Sequence, residues 1–321
     1  MYSNCILRRL VAGLLTLLIT GLAAIAAAGD ADNLRYASGR ADVNDPTRVD
    51  IALVLAVDVS SSISSQERLF QREAYAEALS DPRVAAMALG GGAGRVAIAY
   101  MEWSGTRYQR VHLPIRIMSS HAEMADFAED ILAIDDTPND PMYLQPTAVG
   151  DALLAAETAM SALRVAARDY IIDISGDGVI NDGFAVLQAR DHLLAMGLTV
   201  NGLPIEVSAE PPAFEDPSFQ RVTEFYADCV IGGPGAFHLV ARGFGDVRET
   251  LVMKLMLEMA RLPAEEKTRL ATAWNMGDMG QVARILPAVV LQLNPQQPQR
   301  ERKSNCGERQ TSSHNPFRTN Q

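Results

Sequence analysis

Val49 to Ser62 reads VDIALVLAVDVSSS. Ile51, Leu53, Val54, Leu55 and Val57 form a short, β-branched-rich apolar run, the pattern of a strand buried on both faces of a parallel sheet. The run ends in Asp58, Ser60 and Ser62, spaced D-x-S-x-S, and a helical segment (SQERLFQREAYAEAL) starts near Ser65. A carboxylate and two hydroxyls are therefore expected at the carboxyl end of a strand, where open α/β sheets bind their ligands. Short oxygen-bearing side chains in that place suit a hard cation such as Mg²⁺. Taken alone, the same residues also suit a strand-end turn and helix cap.

Working outward, strands alternate with helices. The first helix is expected to end near Ser80-Asp81-Pro82. Gly90-Gly91-Gly92-Ala93-Gly94 reads as a flexible turn and lacks the lysine of a phosphate-binding loop. Arg95 to Trp103 reads as a strand, with Tyr108 to Leu113 as its hairpin partner at the sheet edge. Ala122 to Ile134 and Thr147 to Leu163 have helical patterns, and Asp169 to Ser175 (DYIIDIS) is another buried strand. A helix over Phe184 to Met196, a strand over Leu198 to Val207, a short helix near Phe219 to Tyr226, a strand over Ala236 to Val240 and a helix over Phe244 to Leu262 complete the unit. This alternation implies an α/β fold: a doubly wound, mostly parallel, Rossmann-like sheet with one antiparallel edge strand.

Two further loops carry oxygen groups to the same sheet edge: Thr147 in P-T-A-V-G-D-A-L and Asp177 in S-G-D-G. With Asp58, Ser60 and Ser62 they make a cage of two carboxylates and three hydroxyls. A dication held by so few anions keeps positive charge and would bind a partner's carboxylate in an open position.

The pattern D58-V-S60-S-S62, T147-A-V-G150-D-A152-L153 and S175-G-D177-G178 resembles von Willebrand factor A-type (vWA) domains with a metal-ion-dependent adhesion site (MIDAS). The resemblance covers residues 49 to 262. It implies that Ser60, Ser62 and Thr147 contact the ion through hydroxyls, and that Asp58 and Asp177 do so directly or through water. Mg²⁺ or Mn²⁺ is implied ahead of Ca²⁺. Gln145-Pro146 before the Thr, and Gly176 before the Asp, depart from the family pattern. More narrowly, the SGDG loop and Phe225 to Phe237 (FYADCVIGGPGAF) resemble an uncharacterised group of exported bacterial vWA-like proteins, with which no activity comes.

The chain has 321 residues, 48% hydrophobic content and a formal net charge of −11, which excludes nucleic acid as a natural partner. Arg8 and Arg9, the apolar Leu10 to Ile25 and Ala26-Ala27-Ala28 have the form of a cleaved signal peptide over residues 1–28, implying a periplasmic or secreted protein. Membrane contact is expected only through that segment if it stays uncut. Residues 29–48 read as linker, 263–293 as a helical extension split by Gly277 and Gly280, and 294–321 as a polar, disordered tail. Cys229 and Cys306 are expected to remain after processing and are able to pair in an oxidising compartment; a buried, free Cys229 is the alternative. Asp151 reads as a first-turn charge and Asp182 as a helix cap, whereas Asp173, inside an apolar strand, reads as locally paired or at an edge.

The expected function is an exported, non-enzymatic, metal-dependent binding module whose protein partner presents an acidic side chain. Two alternatives compete with it. A Mg²⁺-dependent hydrolase or phosphatase with Asp58 as nucleophile would resemble D-x-D-x-[TV], but Ser60 stands where its acid/base carboxylate belongs. A scaffold with a vestigial site would make its contacts through residues 263–293.

Overall fold

The computed structural model describes residues 48–135, 145–162, 166–179, 182–207 and 221–285. The expected signal peptide, most of the linker, the polar tail, Cys306 and the loop over Pro211 to Ser218 lie outside them. Among the described residues, β1 (Val49–Asp58), β2 (Val96–Trp103), β3 (Gln109–Met118), β4 (Ala167–Gly176) and β5 (Thr199–Pro204) form one sheet of order β3-β2-β1-β4-β5. All neighbours are parallel except β2 and β3. The chain thus has the doubly wound α/β architecture, with its antiparallel edge strand, that the sequence implies.

β1 lies at the centre, and every one of its residues is buried. Its side chains alternate between two cores. Ile51, Leu53, Leu55 and Val57 pack with α1 (Ser65–Ser80), α2 (Pro82–Leu89), α3 (His121–Leu132) and α7 (Phe244–Met259). Ala52, Val54 and Ala56 face α4 (Val149–Ser161) and α5 (Val186–Ala195), together with α6 (Val222–Phe225) and the π-helical turn Tyr226–Val230 that continues it. Two more helices, α8 (Ala264–Asn275) and α9 (Met279–Ile285), bury Leu270, Ala271, Ala273 and Val282 in the first core. Met253, Met256, Met259, Trp103 and Phe237 are all buried.

Several local expectations change. The Ser80-Asp81-Pro82 stop also starts a helix, because the Asp81 side chain accepts from the Arg83 amide at 2.7 Å and Pro82 fits the first turn. β3 runs on through Pro114 to Met118, with an irregularity opposite Ile98 to Tyr100 that takes the proline out of the ladder; an edge strand tolerates this. The glycine turn after α2 is a cradle: the Ala93 and Gly94 amides donate to Asp50 at 3.0 and 2.9 Å, and a Cβ on Gly91 would overlap that carboxylate. In place of a regular strand over 236–240, isolated parallel bridges join Gly202 to His238 and Ile205 to Ala241. Asp182 caps nothing: α5 starts from Ala185 without a side-chain cap. Cys229 is half-buried and has no disulfide partner among the described residues; its expected pairing with Cys306 lies outside them.

Asp173 is neither at an edge nor locally paired. It lies fully buried on β4, with Lys254 Nζ 2.6 Å from its carboxylate and 2.5 Å from Glu258. The Asn201 side chain ties Glu258 to β5 at 3.1 Å. Two carboxylates share one ammonium here, and burial first, then Glu258, pushes the Asp173 carboxyl up to about 7. Burial alone would lower Lys254, but Asp173 and Glu258 outweigh it and hold the ammonium protonated. A second buried pair joins α1 to β2, where Arg72 grips Glu102 in a two-pronged contact at 2.7 and 2.8 Å. Burial would raise the Glu102 carboxyl, yet His112 and then Arg72 draw it down to about 2.

Lys254→Met leaves both carboxylates buried without their counter-charge, and should cost about 3–5 kcal/mol in urea denaturation at pH 8. Glu102 contributes stability that is complete above its unfolded value of 4.5 and lost as pH falls toward 2. Glu102→Gln should therefore be less stable than wild type at pH 7, and the gap should narrow between pH 4.5 and 2 when unfolding is followed by circular dichroism.

Candidate functional site

The site lies at the carboxyl edge of the sheet, where β1 and β4 end side by side. Asp58 is the last residue of β1, and its carboxylate is fully buried. The chain turns at once. The Ser60 amide donates to Asp58 Oδ1 at 2.7 Å, the Ile63 amide donates to the Ser60 carbonyl at 2.9 Å, and Gln71 from α1 donates to the Asp58 carbonyl at 3.1 Å. α1 then begins with a capping box between Ser64 and Glu67. The helix cap is thus the work of Ser64, which leaves Ser60 and Ser62 for the site.

The side chains form a chain of oxygens. Thr147 Oγ1 lies 3.4 Å from Ser60 Oγ, Ser60 Oγ is 3.3 Å from Ser62 Oγ, and the Ser62 hydroxyl donates to Asp177 Oδ1 at 2.6 Å. All five residues named from the sequence are thereby brought to one place. Their exposure is graded, with Asp58, Ser60 and Thr147 buried, Asp177 half-buried and Ser62 exposed. Burial first, and then the neighbouring Asp177, pushes the Asp58 carboxyl up to about 8. Burial also raises Asp177, against the lowering hydrogen bond from Ser62. Asp58 Oδ2 is buried and has no hydrogen-bond partner among the described residues. An oxygen-only set with an unpartnered, buried carboxylate oxygen is chemically suited to a hard dication. Among the described residues no group of three or more His, Cys, Asp or Glu gathers as a metal cluster, at this site or elsewhere.

The departures from the family pattern have structural reasons. The Gln145 carbonyl accepts from the Ser61 amide at 3.0 Å, and Gln145 and Pro146 close over Gly105, where a Cβ would stand 3.0 Å from each. The Ala148 amide donates to the Ser104 carbonyl at 2.9 Å, so the Thr147 loop is pinned to the end of β2. Gly176 ends β4 in contact with the site: a Cβ there would lie 2.7 Å from Asp58 Oδ2 and 2.8 Å from the Tyr226 hydroxyl. Asp151, in the first turn of α4, accepts from the Phe184 amide at 2.6 Å and fixes the loop after Asp177.

Tyr226 is a residue that sequence reasoning placed in a short helix and gave no role. Its ring lies across Gly202 of β5, and its buried hydroxyl reaches the Asp58 carboxylate's surroundings. Its one sequence signal is its place in the FYADCVIGGPGAF segment.

The fold, a sheet of order β3-β2-β1-β4-β5 between two layers of helices, is that of a vWA-like domain. Over residues 48–263 the chain belongs to the family described as "Protein of unknown function (DUF1194)". No curated protein sequence matches it. Among solved structures it is similar to proximal thread matrix protein 1 from the mussel byssus, at 16% identity and TM-score 0.45, covering 65% of this chain and 47% of that one. It is similar to the pilus adhesin SpaC from Lactobacillus rhamnosus GG, at 12% identity and TM-score 0.46, over 66% and 31% of the two chains. A third is the PilB minor pilin from Streptococcus sanguinis, at 10% identity and TM-score 0.42, over 66% and 62%. The chain therefore spans less than two thirds of each of these proteins, and the overlaps are too loose to carry an argument about activity.

Gly176→Ala should force the Asp58 carboxylate and Tyr226 apart and cost about 1–3 kcal/mol in urea unfolding with chelator present. Gly245→Ala, at an open position in the first turn of α7, should be neutral or slightly stabilising in the same assay.

Proposed function

We propose that this is an exported, metal-dependent protein-binding module of the adhesion type. In this reading Asp58, Ser60, Ser62, Thr147 and Asp177 hold a divalent cation of the Mg²⁺ or Mn²⁺ class, Ca²⁺ being less favoured. The observation that carries it is the continuous Thr147–Ser60–Ser62–Asp177 oxygen chain beside an Asp58 oxygen with no partner of its own. When bound, such a cation supplies a local positive charge to which a partner's Glu or Asp side chain can attach.

The chain's own groups divide the work. Asp58, anchored by the Ser60 amide, gives the buried anionic floor; Ser62 and Asp177 lie toward solvent, where a partner arrives. Exposed Val179, Phe184 and Leu187 follow Asp177 along the chain and suit contact with a protein surface. The site is read as non-enzymatic because Ser60 occupies the place of a second acid/base carboxylate, and a serine hydroxyl is a poor proton acceptor. Export rests on the N-terminal pattern. Among the described residues no helix is long and apolar enough to cross a membrane.

The test is calorimetric titration of the mature chain with Mg²⁺ and Mn²⁺. Wild type should bind, whereas Asp58→Ala and Thr147→Ala should weaken binding at least tenfold with circular dichroism unchanged. Equal affinity in all three proteins would sink this reading.

A further inference from the structure

Resting on that reading, we infer that Tyr226 is a positioning residue of the site, whose hydroxyl donates a hydrogen bond toward Asp58 Oδ2 through one water.

Several independent features place it there. Tyr226 opens a π-helical turn, Tyr226–Val230, with the Ile231 amide donating back to the Tyr226 carbonyl at 3.0 Å. Such turns insert an extra residue into a helix and often mark functional places. The turn aims the ring inward through a slot made by two glycines on adjacent strands. At Gly202, on β5, a Cβ would lie 2.6 Å from the Tyr226 ring. At Gly176, on β4, a Cβ would lie 2.8 Å from the Tyr226 hydroxyl and 2.7 Å from Asp58 Oδ2. Any side chain at either position would close the slot.

Both oxygens are buried, both lack a hydrogen-bond partner among the described residues, and both open onto the same small space beside Gly176. A buried hydroxyl without a partner costs about 1–3 kcal/mol, so its retention calls for an acceptor. The chemistry sets the direction of the bond. With a cation bound at the site Asp58 would be ionised and would only accept, so in that state Tyr226 donates. A charge-assisted bond in a buried place is among the stronger ones. With the Ser60 amide on Oδ1 and Tyr226 toward Oδ2, the carboxylate is held in orientation from both ends.

A packing role and a positioning role give different results for Tyr226→Phe, which keeps the ring and removes one oxygen. The titration above should show Mg²⁺ and Mn²⁺ binding weakened about 10- to 100-fold, as for the outer partner of a metal-binding side chain. In chelator Tyr226→Phe should melt slightly below wild type, because the bond to Asp58 is lost; the metal-induced rise in melting temperature should shrink as well. Gly202→Ala, which displaces the ring from a position beyond the five oxygen residues, should weaken metal binding in the same direction. Wild-type binding with undiminished affinity in Tyr226→Phe would overturn this inference and leave the proposed function standing. A flat wild-type titration would overturn both.

Discussion

Asp58 ends the central strand with its carboxylate wholly removed from water, held at one oxygen by the Ser60 amide and at the other by nothing among the described residues. Burying an unpaired carboxylate is costly enough that such a group ordinarily takes up a proton or acquires a partner. The surrounding structure is arranged around this one group. β1 carries it to the sheet edge, Gln71 of α1 holds its carbonyl, Gly176 gives it room, and the Thr147 loop is pinned alongside. The Ser60 amide meets part of that cost; the proposed cation and the proposed Tyr226 bond would meet the rest.

The two other buried charge clusters behave differently, because each is internally compensated. Arg72 meets Glu102 with two parallel contacts and lowers its carboxyl, while Lys254 sits between Asp173 and Glu258 on the far side of β4. Arg72 joins α1 to β2 and Lys254 joins α7 to β4, so each ties a helix to a strand near the middle of the sheet. Their role is to fix those helices in place, since a displaced helix would leave a buried ion alone. The contrast makes the Asp58 site stand out: it is the cluster whose charges are gathered with hydroxyls and no cation of the protein's own.

The strand and helix alternation, the antiparallel edge and the identity of the five oxygen residues were legible in the sequence. Each is encoded locally, by an apolar run of strand length, by turn residues or by short polar side chains directly after a strand. What escaped the reading depended on partners distant in the chain. Asp173 meets Lys254 across 81 positions of sequence. The glycine turn after α2 looked flexible because glycine permits it, yet Asp50 holds it from the start of β1. Asp182 was expected to cap a helix on composition alone; instead the loop is held by Asp151, a contact that only packing creates.

The amino-acid sequence by itself determined the class of fold and the oxygen chemistry of the residues at the sheet edge, because hydrophobic periodicity and residue type act over a few positions. Tertiary structure alone decided that Thr147, Ser60, Ser62 and Asp177 stand in one line of oxygens, which of them face solvent, and that Tyr226 shares a space with Asp58. Those outcomes follow from the register of β1 against β4 and from glycines 176 and 202 on neighbouring strands. Such register is fixed by the whole core at once, and no stretch of chain carries it alone.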